Sequence, residues 1–331
     1  MKIAVFSAQP YDRRFLDAQA TSVDGVELVY FTEALSIRAT ALAQGCEAVC
    51  AFVHDVLDAP VLEALAQLGV RAVLLRCAGF NNVDTAAAAR LGLFVARVPA
   101  YSPEAVAEHT LALILTLNRN THRAHARIRE GNFALDGLLG SNLHGKTVGV
   151  IGLGKIGMAA VRIFKGFGCA VLGADPVAPP QFAALGQMVA VGELLAQADI
   201  VSLHCPLTPD THHMIDAKAL AGMKAGAMLV NTSRGALIDT CAVINALKSR
   251  HLGALAIDVY EQESELFFHD HSAEIIGDDT FQRLLTFPNV LVTGHQGFFT
   301  VEAMREIAQV TFANLACYVD GAECANLVSG K

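Results

Sequence analysis

The chain has 331 residues, of which 53% are hydrophobic and 17% are charged, so it is long enough for two domains and apolar enough to give each a core. Its net charge is −8 and its lysines and arginines form no block, which argues against nucleic acid or a membrane surface as a partner. Eight scattered cysteines without a CxxC pair indicate a reducing compartment, and the longest apolar stretches are too short to span a bilayer. We therefore expect a cytoplasmic protein.

The first hundred residues alternate between two kinds of segment. Helix-like stretches such as APVLEALAQLG separate five short runs rich in β-branched residues, which are KIAVFS, VELVYF, AVCAFV, RAVLLR and FVARV. Such alternation is typical of a parallel sheet with helices on both faces. The pattern therefore predicts a first α/β domain.

A helical segment follows, beginning near Ser102, Pro103 and Glu104, which suit the N-cap, the first position and the first turn of a helix. Nothing in the sequence interrupts the pattern before Gly131. A continuous helix there would be roughly 40 Å long at about 1.5 Å per residue. That length would be enough to connect two domains.

A second alternating series begins at KTVGVIGLGKIG. Its candidate strands are TVGVIG, AVLGAD, DIVSLH, AMLVNTS, ALAIDVY and VLVTGH. Segment 261–288 is polar and irregular, which predicts a long loop, and the segment TVEAMREIAQVTFANLACYVDG is helical. The whole pattern predicts an α/β protein with two doubly wound parallel-sheet domains, Rossmann-like or flavodoxin-like.

The motif Gly152-x-Gly154-x-x-Gly157 lies between a strand and a helix, the context in which it indicates a dinucleotide site. The first glycine allows a tight turn, the second lets the backbone approach a pyrophosphate, and the third lets helix and strand pack closely. Asp175 ends the next strand, where a carboxylate can bind the ribose 2′-hydroxyl and would repel a 2′-phosphate. The motif therefore predicts NAD(H) rather than NADP(H), although a glycine-rich turn without a ligand is the simpler alternative.

Ionisable side chains follow several strands of the second series. Arg234 comes after AMLVNTS, Glu261 and Glu263 after ALAIDVY, His295 after VLVTG, and His204 ends DIVSLH. Because ligands bind beyond the carboxyl ends of parallel strands, we expect these groups to gather where the dinucleotide binds.

This combination of side chains has a chemical meaning. A histidine can exchange a proton with the oxygen of a carbon that gains or loses hydride, a carboxylate can orient that imidazole, and an arginine can hold a substrate carboxylate. Each residue alone has a simpler interpretation: Arg234 and Glu263 as solvated side chains, His295 as a structural histidine, and His204 as a strand-end residue near the cofactor. Their joint placement favours reduction of a 2-keto acid to a 2-hydroxy acid.

No metal site is expected. The pairs His212-His213 and His269-x-His271 lie in polar, loop-like segments without companion ligands at the spacing of zinc sites.

Five blocks of the sequence resemble, in order, those of the D-isomer-specific 2-hydroxy-acid dehydrogenases, and the resemblance covers essentially the whole chain. The blocks are VGVIGLGKIG, HCPLTPDTHHMI, LVNTSRGALID, AIDVYEQESELFF and NVLVTGHQGFFT. Within the family, DVYEQE followed by LFF resembles the fermentative D-lactate branch more than the glycerate or formate branches. Glu263 also differs from the formate branch, in which a glutamine replaces the acidic partner of the histidine.

The resemblance implies that Arg234 binds the substrate carboxylate and polarises the carbonyl, that His295 is the acid/base, and that Glu263 rather than Glu261 is its partner. It implies that Asp258 bonds the nicotinamide carboxamide. The full implied NAD(H) contact set is Gly152, Gly154, Lys155, Ile156, Gly157, Asp175, Cys205, Pro206, Thr211, Thr232, Ser233 and Asp258. Cys205 departs from the family pattern, because relatives often carry an aliphatic residue there.

In the first domain, the backbone of Ala78 and Gly79 would help to seat the substrate carboxylate, and Tyr101 and Phe299 would line the substrate pocket. The resemblance also implies a discontinuous substrate-binding domain, residues 1–100 with 299–331, around an NAD-binding domain of residues 101–298. The active-site cleft would lie between them. The family further implies a homodimer, or in some members a homotetramer, paired through the NAD-binding domains.

The expected reaction is the reversible, NADH-dependent reduction of pyruvate to D-lactate, which regenerates NAD in fermentation. Two alternatives stay open. The same fold could act on a bulkier keto acid such as 2-ketoisocaproate or phenylpyruvate, because a few side chains set the pocket. It could instead be an NAD(H)-sensing binding protein, like the transcriptional corepressors related to this fold, although the sequence shows no interaction tail.

Overall fold

A computed structural model describes residues 1–21, 23–263 and 266–328. The chain divides into two compact units. The first unit contains residues 1–102 and the chain from Phe299 onward, and the second unit is the continuous segment Pro103–Phe298. The chain therefore passes between the units twice, at residues 102–103 and 298–299.

The first unit is built on a five-stranded parallel sheet with the order β2-β1-β3-β4-β5. Its strands are β1 Lys2–Val5, β2 Glu27–Tyr30, β3 Ala48–Ala51, β4 Ala72–Leu75 and β5 Phe94–Arg97. Its helices are α1 Pro10–Ala20, α2 Ala59–Gln67, α3 Thr85–Arg90 and α11 Val301–Asp320. Helix α11 packs on α1, β4 and β5, so the last helix of the chain completes the first unit.

The second unit is built on a seven-stranded parallel sheet with the order β12-β11-β10-β9-β6-β7-β8. Its strands are β6 Thr147–Ile151, β7 Ala170–Ala174, β8 Gln187–Met188, β9 Ile200–Leu203, β10 Met228–Asn231, β11 Ala254–Ile257 and β12 Val290–Val292. Its helices are α4 Pro103–Asn118, α5 Thr121–Arg129, α6 Lys155–Gly166, α7 Val191–Gln197, α8 Ala217–Gly222, α9 Thr240–Lys248 and α10 Asp279–Leu285. The strand order reverses between β6 and β9, which is where open α/β sheets bind ligands.

The sequence explains why these segments form these elements. The central strands are apolar and buried on both faces, as in β3, β4 and β9, because helices cover each side of the sheet. Five helices begin after an aspartate whose carboxylate accepts a hydrogen bond from the backbone amide three residues on, which satisfies an otherwise unpaired donor. These aspartates are Asp58, Asp84, Asp216, Asp239 and Asp278.

The prediction of two doubly wound parallel α/β domains is confirmed. The helical pattern that extends to Gly131 forms two helices rather than one. Helix α4 ends at Asn118, and Asn120 adopts a left-handed backbone with a φ of +51° before α5 begins. Asparagine tolerates that conformation better than most residues, so the interruption carries no glycine or proline signal.

Two further elements were not predicted. Strand β8 has only two residues, and helix α10 lies within the segment that the sequence indicated as a long loop. Within the described part of the chain, no helix is long and apolar enough to cross a membrane.

Candidate active site

The turn between β6 and α6 has the shape that a bound phosphate needs. Gly152 has a φ of +92°, and a Cβ there would overlap the backbone of His204 and Cys205. A Cβ at Gly157 would overlap the carbonyl oxygen of Gly152, so only glycine lets α6 approach the turn. A Cβ at Gly154 would meet nothing within 4 Å, and Gly154 gives α6 no side-chain cap. The uncapped amides of the first turn and the adjacent space suit a pyrophosphate.

Asp175 follows β7 and lies beside this turn. Its Oδ2 accepts a hydrogen bond from the amide of Leu153 at 2.7 Å, and its Oδ1 accepts one from the amide of Val177 at 2.8 Å. These bonds fix the carboxylate, while the residue stays partly exposed. A fixed carboxylate at this position suits the ribose hydroxyls of NAD(H) and disfavours a 2′-phosphate.

His204 ends β9 next to the glycine turn, and its surroundings keep it neutral. Burial lowers the pKa of His204 to about 4. Its Nε2 lies 2.9 Å from the hydroxyl of Ser202, and its Nδ1 is buried without a hydrogen-bond partner. An imidazole that is uncharged at neutral pH is poorly suited to donate a proton.

Arg234 follows β10, in a loop whose backbone is held by its neighbours. Asn231 donates from Nδ2 to the carbonyl of Arg234 at 2.8 Å and accepts from the amide of Ser233 at 3.0 Å. A Cβ at Gly235 would overlap the carbonyl of Tyr260, so the loops after β10 and β11 are in close contact. The half-buried Arg234 donates from Nη1 to the carbonyl of Ser233 at 2.7 Å, which uses one of the five N–H donors of a guanidinium.

His295 and Glu263 form a hydrogen-bonded pair beyond the ends of β11 and β12. Nδ1 of His295 lies 2.7 Å from Oε1 of Glu263, whose Oε2 accepts a hydrogen bond from the amide of Tyr260 at 2.9 Å. The two side chains are only 17% and 15% exposed, so the contact is largely shielded from water. Because Nδ1 faces Glu263, Nε2 is the nitrogen that can exchange a proton with a substrate. The ring of Phe268 lies 5.8 Å from the imidazole, centroid to centroid.

Asp258 follows β11 and is 1% exposed. Its carboxylate accepts hydrogen bonds from the hydroxyl of Thr293 and from the amides of Gln296 at 3.0 Å and Gly297 at 2.8 Å. Its backbone carbonyl accepts a hydrogen bond from the amide of His295 at 2.7 Å. Asp258 therefore holds the loop that carries the histidine, and its predicted bond to the nicotinamide carboxamide stays a prediction.

Two side chains of this network, His109 and Thr293, were missed by the sequence analysis. Nε2 of His109, on helix α4, lies 3.2 Å from Oδ1 of Asp258 and 3.1 Å from the hydroxyl of Thr293. Burial alone would raise the pKa of Asp258, but hydrogen bonds from His109 and Thr293 hold the pKa below its usual value. The only signal for His109 was one ionisable ring within the apolar run AVAEHTLALILTLN.

The other predicted cofactor contacts lie around the glycine turn and the end of β9. Lys155 is exposed and Ile156 is half-buried in the first turn of α6. Thr211 donates to the carbonyl of Pro206 at 2.7 Å and closes the loop after β9. The hydroxyl of Ser233 donates to the carbonyl of Cys205 at 2.7 Å, which joins the loops after β9 and β10. The buried hydroxyl of Thr232 lies 2.9 Å from that of Thr110.

The four predicted substrate contacts belong to the first unit. Ala78 and Gly79 follow β4, and the carbonyl of Ala78 accepts a hydrogen bond from Nη1 of Arg97 at 2.7 Å. The ring of Phe299 is 48% exposed and lies 4.7 Å from that of Tyr11 in an edge-on arrangement. Tyr101 lies two residues before the start of α4. The roles of these residues stay predictions.

A second histidine–glutamate pair lies near the same edge. Nε2 of His213 lies 2.7 Å from Oε1 of Glu261, and the ring of His212 stacks on that of His213 at 4.0 Å. The sequence analysis did not foresee Glu261 as a companion of this histidine pair. Glu261 and Glu263 therefore have different partners, although they are two residues apart.

Comparison with known proteins identifies the family. The sequence model described as "D-isomer specific 2-hydroxyacid dehydrogenase, NAD binding domain" matches residues 111–297. The chain therefore belongs to the D-isomer specific 2-hydroxyacid dehydrogenase family, and it is an NAD-dependent enzyme that interconverts 2-hydroxy and 2-keto acids.

Named relatives extend the comparison over the whole chain. 2-Hydroxyacid dehydrogenase A of Aspergillus oryzae is 58% identical over 98% of this chain and 94% of its own. D-lactate dehydrogenase kk1H of Curvularia clavata is 56% identical over 100% of this chain and 96% of its own. The apo structure of D-lactate dehydrogenase from Escherichia coli superposes with a TM-score of 0.91, at 48% identity over 99% of this chain and 100% of that one. The predicted resemblance is confirmed.

Proposed function

We propose that this protein reduces pyruvate to D-lactate with NADH, and that Arg234, Glu263 and His295 carry the reaction. The observation that carries the proposal is the shielded His295–Glu263 pair, which stands at the sheet edge that also presents the glycine turn and Arg234. Two of the similar proteins named above are D-lactate dehydrogenases, which supports pyruvate as the substrate.

The side chains divide the chemistry between them. Bound NADH supplies the hydride that C2 of the keto acid accepts. His295, protonated on both ring nitrogens, gives the proton of Nε2 to the carbonyl oxygen, while Nδ1 keeps its bond to Glu263. The negative charge of Glu263 stabilises the protonated imidazole and holds its orientation. The guanidinium of Arg234 binds the substrate carboxylate through hydrogen bonds and polarises the carbonyl.

The glycine turn and Asp175 form the proposed cofactor-binding site. The first-turn amides of α6 would bind the pyrophosphate, and Asp175 would bind the ribose hydroxyls. The second unit is therefore proposed to bind NAD(H), and the substrate contacts of Ala78, Gly79, Tyr101 and Phe299 in the first unit stay predictions.

The test is a turnover assay with the purified protein. NADH and pyruvate are mixed and the loss of reduced-nicotinamide absorbance is followed, and the reverse reaction is then run with each lactate enantiomer. We expect fast reduction of pyruvate and oxidation of D-lactate alone. Faster turnover of 2-ketoisocaproate or phenylpyruvate than of pyruvate would replace pyruvate by a bulkier acid. Tight NADH binding without turnover of any keto acid would favour a sensing role.

We also propose that the protein forms a homodimer or homotetramer through its second unit. Four large apolar side chains of that unit are more than half exposed within one segment, namely Ile128, Phe133, Leu135 and Leu139. Exposed apolar side chains concentrated in one segment are typical of protein interfaces. Light scattering should give a multiple of the 35.0 kDa chain mass, and the double substitution Phe133→Ser and Leu135→Ser should lower the measured mass. A cytoplasmic location stays a prediction.

A further inference from the structure

One residue, Asp258, accepts most of the hydrogen bonds that hold the loop carrying His295. Of the five residues 293–297, four donate a hydrogen bond to Asp258: Thr293, Gln296 and Gly297 to its carboxylate, and His295 to its carbonyl. The position of the catalytic imidazole therefore depends on where this buried carboxylate lies.

The backbone of His295 needs such support. Its φ of +53° lies in the left-handed region, which is unfavourable for a residue with a Cβ. Residues keep such conformations only where the surrounding structure imposes them. A loop released from Asp258 would relax, and the 2.7 Å contact between His295 and Glu263 would lengthen.

His109 links this loop to a helix. Among the described residues, it is the partner of the Asp258 carboxylate that comes from outside loop 293–297, with Nε2 at 3.2 Å from Oδ1. The same nitrogen lies 3.1 Å from the hydroxyl of Thr293, and a Cβ added to Gly297 would lie 3.4 Å from Cδ2 of the ring. The imidazole thus contacts Thr293 at the start of the loop and the carboxylate that holds the loop, and it lies near Gly297 at the end of the loop.

The place of His109 in the chain argues against a role in packing alone. Helix α4 packs in the core through Ala107, Leu113, Ile114 and Leu117, whereas the ring of His109 is 16% exposed and makes polar contacts with Asp258 and Thr293. Helix α4 begins at the first passage between the units, and loop 293–297 ends at the second. Through Asp258, His109 ties together the two segments that adjoin these passages.

We propose that His109 is a positioning residue for the reaction: acting through Asp258 and Thr293, it fixes the loop that presents His295 to Glu263 and to the substrate. The inference rests on the proposed role of His295. Small displacements of a reacting group by a remote substitution lower turnover by about 10²-fold, which sets the size of the expected effect.

Three substitutions at His109 and one control test the proposal. In His109→Gln the side-chain amide nitrogen can occupy the place of Nε2, whereas in His109→Asn the shorter side chain cannot reach it, and His109→Leu fills the space without a donor. The control is Glu108→Gln, on the exposed face of the same helix. The measurements are kcat, KM for the keto acid, NADH affinity by fluorescence, and hydrogen exchange at the amides of Gln296 and Gly297.

We expect kcat to fall about 10²-fold in the Leu and Asn variants, with NADH affinity within threefold of wild type and faster exchange at both amides. His109→Gln should keep kcat within about fivefold, and Glu108→Gln should match wild type. Unchanged kcat and exchange in the Leu and Asn variants would overturn the proposal, as would a Gln variant no better than Asn. If the Leu variant does not fold, the comparison of Gln with Asn decides.

A failure of the proposed function would be visible separately. If wild type does not reduce pyruvate, the variants are assayed with the keto acid that it does reduce. Measuring hydrogen exchange at the amides of Gln296 and Gly297 needs no substrate. These rates therefore test in either case whether His109 fixes loop 293–297.

Discussion

Two hydrogen-bonded aspartates lie at opposite ends of the parallel strands of the seven-stranded sheet. One lies at the amino ends of the strands, here called the amino edge, and the other at their carboxyl ends, the carboxyl edge. At the amino edge, Asp199 accepts hydrogen bonds from Nζ of Lys224 at 2.6 Å and from the amide of Thr147 at 2.9 Å. At the carboxyl edge, Asp258 accepts its bonds from the loop of His295 and from His109. For both, burial alone would raise the pKa of the carboxyl, and the hydrogen bonds outweigh it and lower the pKa.

The two aspartates differ in which part of the structure supplies their hydrogen-bond donors. The partners of Asp199 are the first residue of β6 and Lys224 in the turn before β10, so this aspartate links segments that form the framework of the sheet. The amino edge also has a cavity of about 510 Å³, lined in part by Arg123, Lys146 and Lys224. The carboxyl edge has the paired histidine and the glycine turn. The proposed chemistry is therefore assigned to the carboxyl edge from its histidine pair and glycine turn, and not from this cavity.

The largest expected effect is the loss of kcat when His295, at the carboxyl edge, is replaced, compared with a histidine elsewhere on the second unit. His295→Ala should lower kcat by about 10²- to 10⁴-fold, because the proton donor is lost, while NADH affinity stays within about twofold. His125→Ala, on the exposed surface of α5, is the matched control and should leave kcat unchanged. Steady-state kinetics and NADH fluorescence titration measure both. Wild-type turnover in His295→Ala would contradict the assignment.

The two glutamates that lie two residues apart give a finer contrast at the carboxyl edge. Glu263→Gln should lower kcat by about 10- to 100-fold, the equivalent of one charge-assisted hydrogen bond, because the imidazole loses its anionic partner. Glu261→Gln, which alters the pair with His213 and leaves the pair of His295 with Glu263 intact, should change kcat by less than about threefold. Equal effects in the two variants, measured by the same absorbance assay, would show that the pairing with His295 is unimportant.

The aspartates themselves should differ in stability. A carboxyl whose pKa is lowered by folding stabilises the protein above its unfolded pKa of about 3.9, and this stability is lost as the pH falls through the lowered value. At pH 7, Asp258→Asn should lower the free energy of unfolding by about 1–3 kcal/mol, since buried donors lose their charged partner. Asp199→Asn should lower it by less than about 1 kcal/mol, because its partner Lys224 is half exposed.

Urea unfolding at several pH values between 7 and 3 measures these effects. Both variants should lose less stability on acidification than wild type, because the titrating carboxyl is absent. A variant that keeps the full acid dependence of wild type would show that its aspartate does not contribute.

The smallest effect is expected in cofactor choice. Asp175→Ala should weaken NADH binding by about threefold to tenfold and narrow the preference for NADH over NADPH, because the carboxylate that repels a 2′-phosphate is gone. Asp199→Asn serves as the control at the other edge, with both affinities unchanged. Dissociation constants from fluorescence titration give the comparison, and an undiminished preference in Asp175→Ala would contradict the proposed ribose contact.

Most of the fold could be predicted from the sequence because the buried strands are short apolar runs that stand apart from their surroundings. The eleven predicted strands correspond to β1–β7 and β9–β12. Strand β8 has only two residues and makes no such run. The end of α4 was missed because a left-handed asparagine interrupts the helix without glycine or proline. Helix α10 is short and polar in its first turn, so its pattern was weak.

The candidate site was predictable to the extent that it depends on strand ends. Arg234, Glu263 and His295 follow β10, β11 and β12, and parallel strands bring their carboxyl ends to one edge. His109 could not be found in this way, because it lies on a helix and reaches Asp258 across 149 positions of sequence. Contacts between a helix and a sheet edge depend on packing, which no local pattern encodes.

The discontinuity of the first unit has a consequence for synthesis on the ribosome. The strands of that unit precede residue 102, but α11, which packs on α1, β4 and β5, is translated after residue 300. At about 5–20 residues per second, the second unit emerges whole while the first still lacks a helix. The nascent chain therefore finishes the inserted unit first and must keep the apolar surface later covered by α11 from aggregating. A chaperone that binds this unfinished surface would have its main effect on residues 1–102, the part that is made first and completed last.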